Sequence, residues 1–551
     1  MTTTPAIAPS YVHGASDRPL LGETIGENFN RIAATHADRE ALVDRPSGRR
    51  WTYAELHRDV LALARGLLRL GIGQGDRVGI WAPTSPDWTL LQYATAEIGA
   101  ILVPLNPAYR TSELAYVVNH ASIRLLVAAP SFRTSDYAAM IEDARPDCAG
   151  LRWVVLLGSA GWHALHDRAG DTRALAARQA LLSPDDPINI QYTSGTTGHP
   201  KGATLSHHNI LNNAHLIGEV LGYTERDRIC VPVPLFHTFG MVIGNLGATS
   251  HGACLGYPAP AFDPEATLAA VAQERCTSLY GVPAMFIAEL AEPGFDGYDL
   301  SSLRTGIMAG SPCPVEVLKQ VVDRMGMTGV TVAYGMTETS PISTQTRAGD
   351  TLDRRVSTVG RVHPHVEIKI VDPETGATVP RGVPGELCTR GYSVMLGYWQ
   401  QPGKTAEAID PARWMHTGDL ATMDTDGYIN ITGRLKDMVI RGGENISPRE
   451  IEEFLHTHPD VQDVQVIGVP DARLGEEIMA WIRLRPGARP MTAADVRAYA
   501  DGKLAHYKIP RYVRIVEDFP MTASGKVRKA DIRKAAIDML GLTDIAASQY
   551  A

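Results

Sequence analysis

From Thr52 onward, apolar residues return at helical spacing: Leu56, Val60, Leu63, Leu67 and Leu70 follow one another before Gly71 interrupts the run. This predicts an amphipathic helix with one buried face. Thr52 and Glu55 stand at the capping-box spacing, which satisfies two backbone N–H groups that the first turn leaves open. Strand-like Arg77–Trp81 comes next, then a helical stretch near Leu90 to Ile98, and the apolar runs Ala100–Leu105 and Leu125–Ala128. The alternation continues through Trp153–Leu157, a helix after Ser206, strand-like Ile229–Val233 and a helix ending near Glu289. Strands alternating with helices predict parallel α/β layers, in one large core that runs past residue 400 without internal repeats.

After Arg434 the texture changes. Arg449–His456 reads as a helix, Val464–Val469 and Ala480–Leu484 as strands, Thr492–Leu504 as a capped helix and Tyr512–Val516 as a strand. The fold class expected is therefore α/β: a large N-terminal multi-layer α/β domain over 1–435 and a smaller C-terminal α+β domain over 436–551. The junction Thr432-Gly433-Arg434-Leu435-Lys436-Asp437 is short and polar, more a hinge than a tether. Ala546–Ala551 reads as a loose tail.

A length of 551 residues with 44% hydrophobic and 21% charged positions excludes a lone small module and a disordered chain. The formal net charge of −9 gives no global reason to bind nucleic acid or an anionic membrane, so any anion site must be local. Six cysteines lie far apart with no C-x-x-C pair, which suggests neither a zinc site nor a disulfide framework and fits a reducing compartment. No basic, apolar secretory leader or membrane-length apolar run is present. A cytoplasmic protein without an integral membrane segment, monomeric or homodimeric, is expected.

The most informative stretch is Tyr192-Thr193-Ser194-Gly195-Thr196-Thr197-Gly198-His199-Pro200-Lys201-Gly202. Its glycines allow close backbone approach, its hydroxyls donate hydrogen bonds and Lys201 supplies charge for phosphate. A Walker loop fits poorly, because Lys201 follows Pro200 and precedes Gly202, where that pattern wants glycine before the lysine and a hydroxyl after it.

This run resembles the phosphate-loop signature of the adenylate-forming superfamily, which includes acyl-CoA synthetases, luciferases and peptide-synthetase adenylation domains. Four more motifs stand in the family's order: Pro234-Leu235-Phe236-His237, Tyr334-Gly335-Met336-Thr337-Glu338-Thr339, Thr417-Gly418-Asp419 continuing to Gly433-Arg434-Leu435-Lys436-Asp437, and Ser524-Gly525-Lys526. The resemblance covers nearly the whole chain and implies the adenylate-forming enzyme fold, with ATP, Mg²⁺ and CoA as cofactor and co-substrates. It implies ATP contacts from Thr193, Ser194, Gly195, Thr196, Thr197, Gly198, Lys201, Gly310, Ser311, Tyr334, Asp419, Arg434 and Lys526.

Chemically, Tyr334–Thr339 puts an aromatic ring, a hydroxyl and a carboxylate on one turn, able to stack a base, touch an α-phosphate through Thr337 and hold Mg²⁺ through Glu338. A solvated turn acid is the plainer reading of Glu338 alone. Asp419 can accept both ribose hydroxyls or simply form an Asx turn, and Arg434 can reach ribose or phosphate or make an exposed ion pair. Lys526 is implied to bridge carboxylate, ribose and α-phosphate, because two anions must be compensated before they meet. Arg528, Lys529, Arg533 and Lys534 beside it read as a solvated face.

His237, where amino-acid-activating relatives keep an aspartate, is implied to line the acyl pocket and argues against an amino-acid substrate. The rest of the expected wall, Thr238, Phe239, Met241, Val282, Ala309, Gly310, Gly335 and Met336, is apolar or small and suits an uncharged tail. Arg441, Gly442 and Gly443 are implied to line the CoA tunnel, and the same glycines suit a hairpin turn. Lys436 is the expected hinge.

The reading is a two-step ligase in which a carboxylic acid attacks ATP to give acyl-AMP and pyrophosphate, and CoA then displaces AMP. Tyr280–Phe286 and Ala309–Pro312 most resemble the medium-chain fatty acyl-CoA synthetase branch; aryl acids come second. The rivals are an acyl-AMP ligase serving a carrier protein, an adenylation unit, a luciferase-like oxygenase and a nucleotide-binding regulator without turnover.

Overall fold

The computed structural model describes residues 8–193, 200–311, 313–442, 444–522 and 526–549. The chain forms two compact units, one of Val12–Ile368 with Thr389–Met415, the other of Met1–Tyr11, Lys369–Cys388 and His416–Ala551.

In the larger unit the helix Tyr53–Arg69 opens on the predicted capping box: Glu55 N–H donates to Thr52 Oγ1 at 3.2 Å, and Thr52 N–H to Glu55 Oε2 at 2.9 Å. Leu56, Val60, Leu63 and Leu67 are fully buried, and Gly71 follows with a left-handed φ of 82°. A seven-stranded sheet runs in the order Gly397–Tyr398, Lys201–Ser206, Pro187–Thr193, Ile101–Pro104, Arg77–Trp81, Ile123–Ala128, Trp153–Leu156. From Pro187–Thr193 onward its neighbours are parallel, whereas Lys201–Ser206 is antiparallel to both of its own. Parallel strands are covered on both faces and so read as unbroken apolar runs, which is why Leu125–Ala128 was legible without alternation.

A nine-stranded sheet has at its centre Gly329–Gly335, Thr305–Ala309, Ser278–Gly281, Arg228–Cys230, Cys254–Tyr257 and Glu40–Asp44 in spatial order, all parallel. Its strand ends carry Tyr334, Gly335 and Ala309. The crevice beyond the carboxyl ends of parallel strands is where α/β sheets bind ligands.

The smaller unit holds a mixed sheet in which Val461–Asp471 pairs antiparallel with Gly475–Leu484, and Tyr512–Ile515 lies parallel to the latter. Helix Pro448–His456 buries Ile451 and Leu455 against Val464, Ile478 and Ile482. Two expectations need correction. The helix capped by Thr492 ends at Ala500, because Asp501 turns to extended backbone and Gly502 takes a φ of 69°. The C-terminal tail is helical over Thr543–Gln549, with Ala546 N–H donating to Leu542 O at 2.9 Å; the alanines there are strong helix formers.

Candidate active site

The phosphate-loop run sits on a hairpin. Pro187–Thr193 and Lys201–Ser206 pair in register from Asn189↔Leu205 to Thr193↔Lys201. Ser194, Gly195, Thr196, Thr197 and Gly198 lie outside the described residues, as do Gly443, Ser524 and Gly525. The base of the hairpin is held from below: Tyr192 hydroxyl meets His120 Nδ1 at 2.6 Å, and Tyr116 hydroxyl donates to Pro200 O at 3.3 Å.

The outgoing strand brings a residue that sequence reasoning missed. Gly397–Tyr398 adds to its edge, with Ala203 opposite Tyr398 and Trp399 N–H donating to Gly202 O at 2.7 Å. Tyr398 thereby presents its ring to the Lys201 ammonium, 4.8 Å from the ring centroid, and its hydroxyl to Glu338 Oε1 at 2.8 Å. Burial first, and then the Glu338 charge, push the Tyr398 hydroxyl's pKa up, so it stays a donor. Lys201 and Glu338, 137 positions apart by their numbers, are joined through one ring. No local motif marks Tyr398; the signal is the strand pairing, which exists only in the fold.

Glu338 lies in the short turn Thr337–Thr339 that follows strand Gly329–Gly335. The turn is tied by Met336 N–H to Thr339 Oγ1 at 3.2 Å and by Met395 N–H to Glu338 O at 2.9 Å. The carboxylate is buried, at 6% exposure, so the solvated-turn reading does not hold. Among the described residues the Tyr398 hydrogen bond goes to Oε1, which leaves Oε2 as a hard oxygen donor. A single open carboxylate oxygen suits Mg²⁺, which binds through one or two carboxylates plus substrate phosphates. Tyr334 pairs with Thr344 across the sheet. Gly335 has a backbone reason to be glycine: a Cβ there would stand 1.8 Å from Pro341 O.

His237 opens a buried apolar segment. Phe239 N–H donates to His237 Nδ1 at 3.1 Å, which puts the imidazole proton on Nε2. Phe239–Leu246 is a π-helix and every residue in it is buried, Met241 included; such i→i+5 turns gather at functional sites. Phe239 packs on Tyr280 with centroids 5.7 Å apart. Thr238 is fully buried and its hydroxyl has no hydrogen-bond partner. Val282 precedes helix Pro283–Leu290, and Ala309 ends strand Thr305–Ala309, after which Gly310 takes a φ of 93° ahead of Ser311.

In the smaller unit Asp419 and Arg434 face each other across the hairpin Met415–Met423/Ile429–Arg434. Arg434 Nε donates to Asp419 Oδ1 at 2.8 Å, with Asp419 8% and Arg434 63% exposed. The turn before Asp419 is anchored by Glu386, which accepts from Gly418 N–H at 3.0 Å and meets His416 Nδ1 at 2.8 Å. Sequence reading found Asp419 and Arg434 but not their pairing, nor Glu386 and His416. Arg441 makes a two-pronged ion pair with the buried Glu477, and Gly442, at φ 62°, lies at the turn between Val439–Arg441 and Glu444–Ile446, as a hairpin requires. Lys436 lies exposed in the 3₁₀ turn Leu435–Asp437. Lys526 stands in a tight turn, its N–H donating to Thr522 Oγ1 at 2.9 Å while Thr522 N–H donates to its carbonyl at 2.7 Å.

Two family models match the chain, AMP-binding enzyme over residues 29–399 and AMP-binding enzyme C-terminal domain over 450–526. YngI of Bacillus subtilis (strain 168), a protein carrying an acyl-CoA synthetase name, is 48% identical over 95% of this chain and 99% of its own. The mitochondrial medium-chain acyl-CoA ligase ACSF2 of Danio rerio is 44% identical over 98% of this chain and 92% of its own. The crystal structure of ATP-bound MatB from Rhodopseudomonas palustris superposes with a TM-score of 0.81 at 32% identity, over 94% of this chain and all of that one. A phosphate hairpin, a buried carboxylate beside it and a carboxylate–guanidinium hairpin thus occur in a chain whose relatives extend across its length: it belongs to the AMP-binding enzyme family, as an acyl-CoA synthetase with the adenylate-forming fold.

Proposed function

We propose that this acyl-CoA synthetase acts on medium-chain fatty acids, forming an acyl-adenylate and pyrophosphate from acid and ATP and then an acyl thioester and AMP with CoA. The observation that carries the substrate choice is the wholly buried, uncharged π-helix Phe239–Leu246 that follows His237, which offers the acid's tail no ionic partner. Similarity to the medium-chain ligase ACSF2 supports the same choice.

In the first step the carboxylate oxygen attacks the α-phosphorus and the bond to the pyrophosphate leaving group breaks. Lys201, on the outgoing strand of the phosphate hairpin, counters phosphate charge, and Thr337 donates toward the α-phosphate. Asp419 accepts from the ribose hydroxyls, with Arg434 holding its Oδ1. Glu338 would hold Mg²⁺ through the oxygen that Tyr398 leaves open, and the ion, when bound, neutralises charge on the phosphates. Lys526 screens the approach of the two anions. In the second step the CoA thiol sulfur forms a bond to the acyl carbon and AMP departs; Arg441, Gly442 and Gly443 line its path, and the backbone at Lys436 absorbs the change of domain orientation between the steps. Cys148, Cys230, Cys254 and Cys276 are buried thiols outside any disulfide, and no helix among the described residues is long and apolar enough to cross a membrane; reduced thiols support a cytoplasmic location.

Thioester formation measured across straight-chain, branched and aromatic acids tests the substrate. The greatest kcat/KM belongs to medium alkyl acids; higher efficiency on benzoate or cinnamate analogues would reject that choice and leave the ligase chemistry standing.

A further inference from the structure

Away from the residues assigned to catalysis, helix His207–Leu221 carries His215 and Glu219 four positions apart, a spacing that sets two side chains on one helical face. His251, from the turn after Gly247–Thr249, completes a group in which one ligand atom of each residue lies within 4.8 Å of the others. The two imidazoles stack with centroids 4.8 Å apart and planes 17° apart. Gly218 makes room for this: a Cβ there would stand 2.3 Å from His251 Cε1.

The protons at His251 are informative. Its Nδ1 lies 3.0 Å from Gly247 O, an acceptor only, so Nδ1 carries the hydrogen and the neutral ring presents a lone pair at Nε2. Among the described residues that Nε2 has no well-aligned hydrogen-bond partner, on a side chain only 6% exposed, yet it stands 3.4 Å from Glu219 Oε1. A lone pair turned toward a carboxylate oxygen is repulsive, and either a proton on Nε2 or a metal ion between the two atoms would relieve it. The gap matches the ~3.4 Å between two ligands of a tetrahedral zinc ion with bonds near ~2.1 Å. His215 Nδ1 is likewise buried without a partner.

We propose that His215, Glu219 and His251 form a binding site for a divalent transition-metal ion of the zinc class, sharing no residue with the adenylation site. Two imidazoles and one carboxylate are a zinc donor set, with a fourth position left for water. A proton on His251 Nε2 would satisfy only the His251–Glu219 pair and leave His215 Nδ1 orphaned; a metal ion can engage both rings. Glu219, 31% exposed and 3.5 Å from the 70% exposed Arg18, is the side from which an ion enters. Bound there, the ion ties the last turns of the helix to the His251 turn.

The test uses the full-length, untagged protein, stripped with chelator and titrated with Zn²⁺ or Co²⁺ alone by calorimetry, absorption and thermal unfolding. The expected result is one saturable site, cobalt d–d bands without a thiolate charge-transfer band, and a thermal midpoint that rises with Zn²⁺. Loss of outer-shell partners alone costs 10–100-fold in metal affinity, so His251→Gln and Glu219→Gln should each weaken binding by at least ~100-fold. Glu219→Gln, at a partly exposed position, tests the ligand set even if the buried His251 variant fails to fold. Cys388→Ser should change nothing, although Glu386, Cys388 and His416 form a second group of possible ligands. The proposal is overturned by no saturable binding, with His251 titrating as a proton-bound pair with Glu219; by binding that survives both substitutions; or by a thiolate band that Cys388→Ser removes.

Discussion

The Tyr398 hydroxyl donates to Glu338 Oε1 at 2.8 Å while Lys201 sits over the same ring, so one aromatic side chain touches both the carboxylate proposed to hold Mg²⁺ and the ammonium proposed to counter phosphate charge. Tyr398→Phe keeps the ring beneath Lys201 and removes the donor to a buried carboxylate. Partners that orient a metal ligand typically change affinity or activity by ~10–100-fold. Pyrophosphate exchange measured against Mg²⁺ concentration should show a weaker Mg²⁺ dependence constant by about that factor; an unaltered Mg²⁺ profile would separate Tyr398 from metal binding.

Lys526→Ala distinguishes the two half-reactions. In the proposed mechanism the charge is needed when a carboxylate meets the α-phosphate and not when a thiol attacks a preformed adenylate. Adenylation should fall by at least ~10²–10³-fold, while thioester formation from supplied acyl-AMP is kept. A matching loss in both steps sinks the assignment of Lys526 to the first.

Lys436→Pro should give the opposite split if the arrangement it traps is the adenylating one, since a fixed φ of about −65° denies the turn its rotation. Acyl-AMP formation then survives and thioester formation falls. Stopped half-reaction assays on folded protein decide it, and equal loss of both steps, or of neither, defeats the hinge.

Arg434→Ala should cost function without stability. The pair with Asp419 is on the surface at its arginine end, 63% exposed, and such pairs contribute ~0–1 kcal/mol. Thermal unfolding should barely move, while KM for ATP rises. A large drop in melting temperature would make the pair structural instead.

Glu97 predicts a pH dependence of stability. Burial pushes its pKa up to about 7, and Glu27 adds to the rise, against hydrogen bonds from Gln179 and Asn30; Oε1 has no hydrogen-bond partner among the described residues. Between the usual value of 4.5 and about 7 the unfolded chain has lost this proton and the folded chain keeps it. Stability from this group is therefore greatest below the unfolded pKa, falls as pH rises through that window, and stays low above it. At ~1.4 kcal/mol per pKa unit the penalty is on the order of 3 kcal/mol. Glu97→Gln should flatten that slope in denaturant titrations run from pH 4.5 to pH 8, and an unchanged slope would assign it to other groups.

What could be read from the sequence was local or periodic. The Thr52–Glu55 box, the Leu56-to-Leu67 stripe and the buried run Leu125–Ala128 need only neighbours a few residues away, and each stands where expected. Asp419 and Arg434 were legible as chemistry but not as partners, because their contact depends on a hairpin register with a bulge between Leu420 and Ala421. Gly335 shows the same limit: it reads as a small residue of the acyl-pocket wall, while its neighbour Pro341 O leaves no room for a Cβ. Tyr398 was not legible at all, for its role comes from an edge strand of two residues.

That edge strand makes sheet register part of the catalytic specification. Side chains alternate with a period of two along a strand, so a slip of one residue where Gly397–Tyr398 meets Ala203–Thr204 would turn the phenol to the opposite face and set Gly397 or Trp399 in its place. A one-residue deletion between Met395 and Trp399 would then silence adenylation while every charged group of the reaction remained in the chain, a lesion invisible to any inventory of active-site residues.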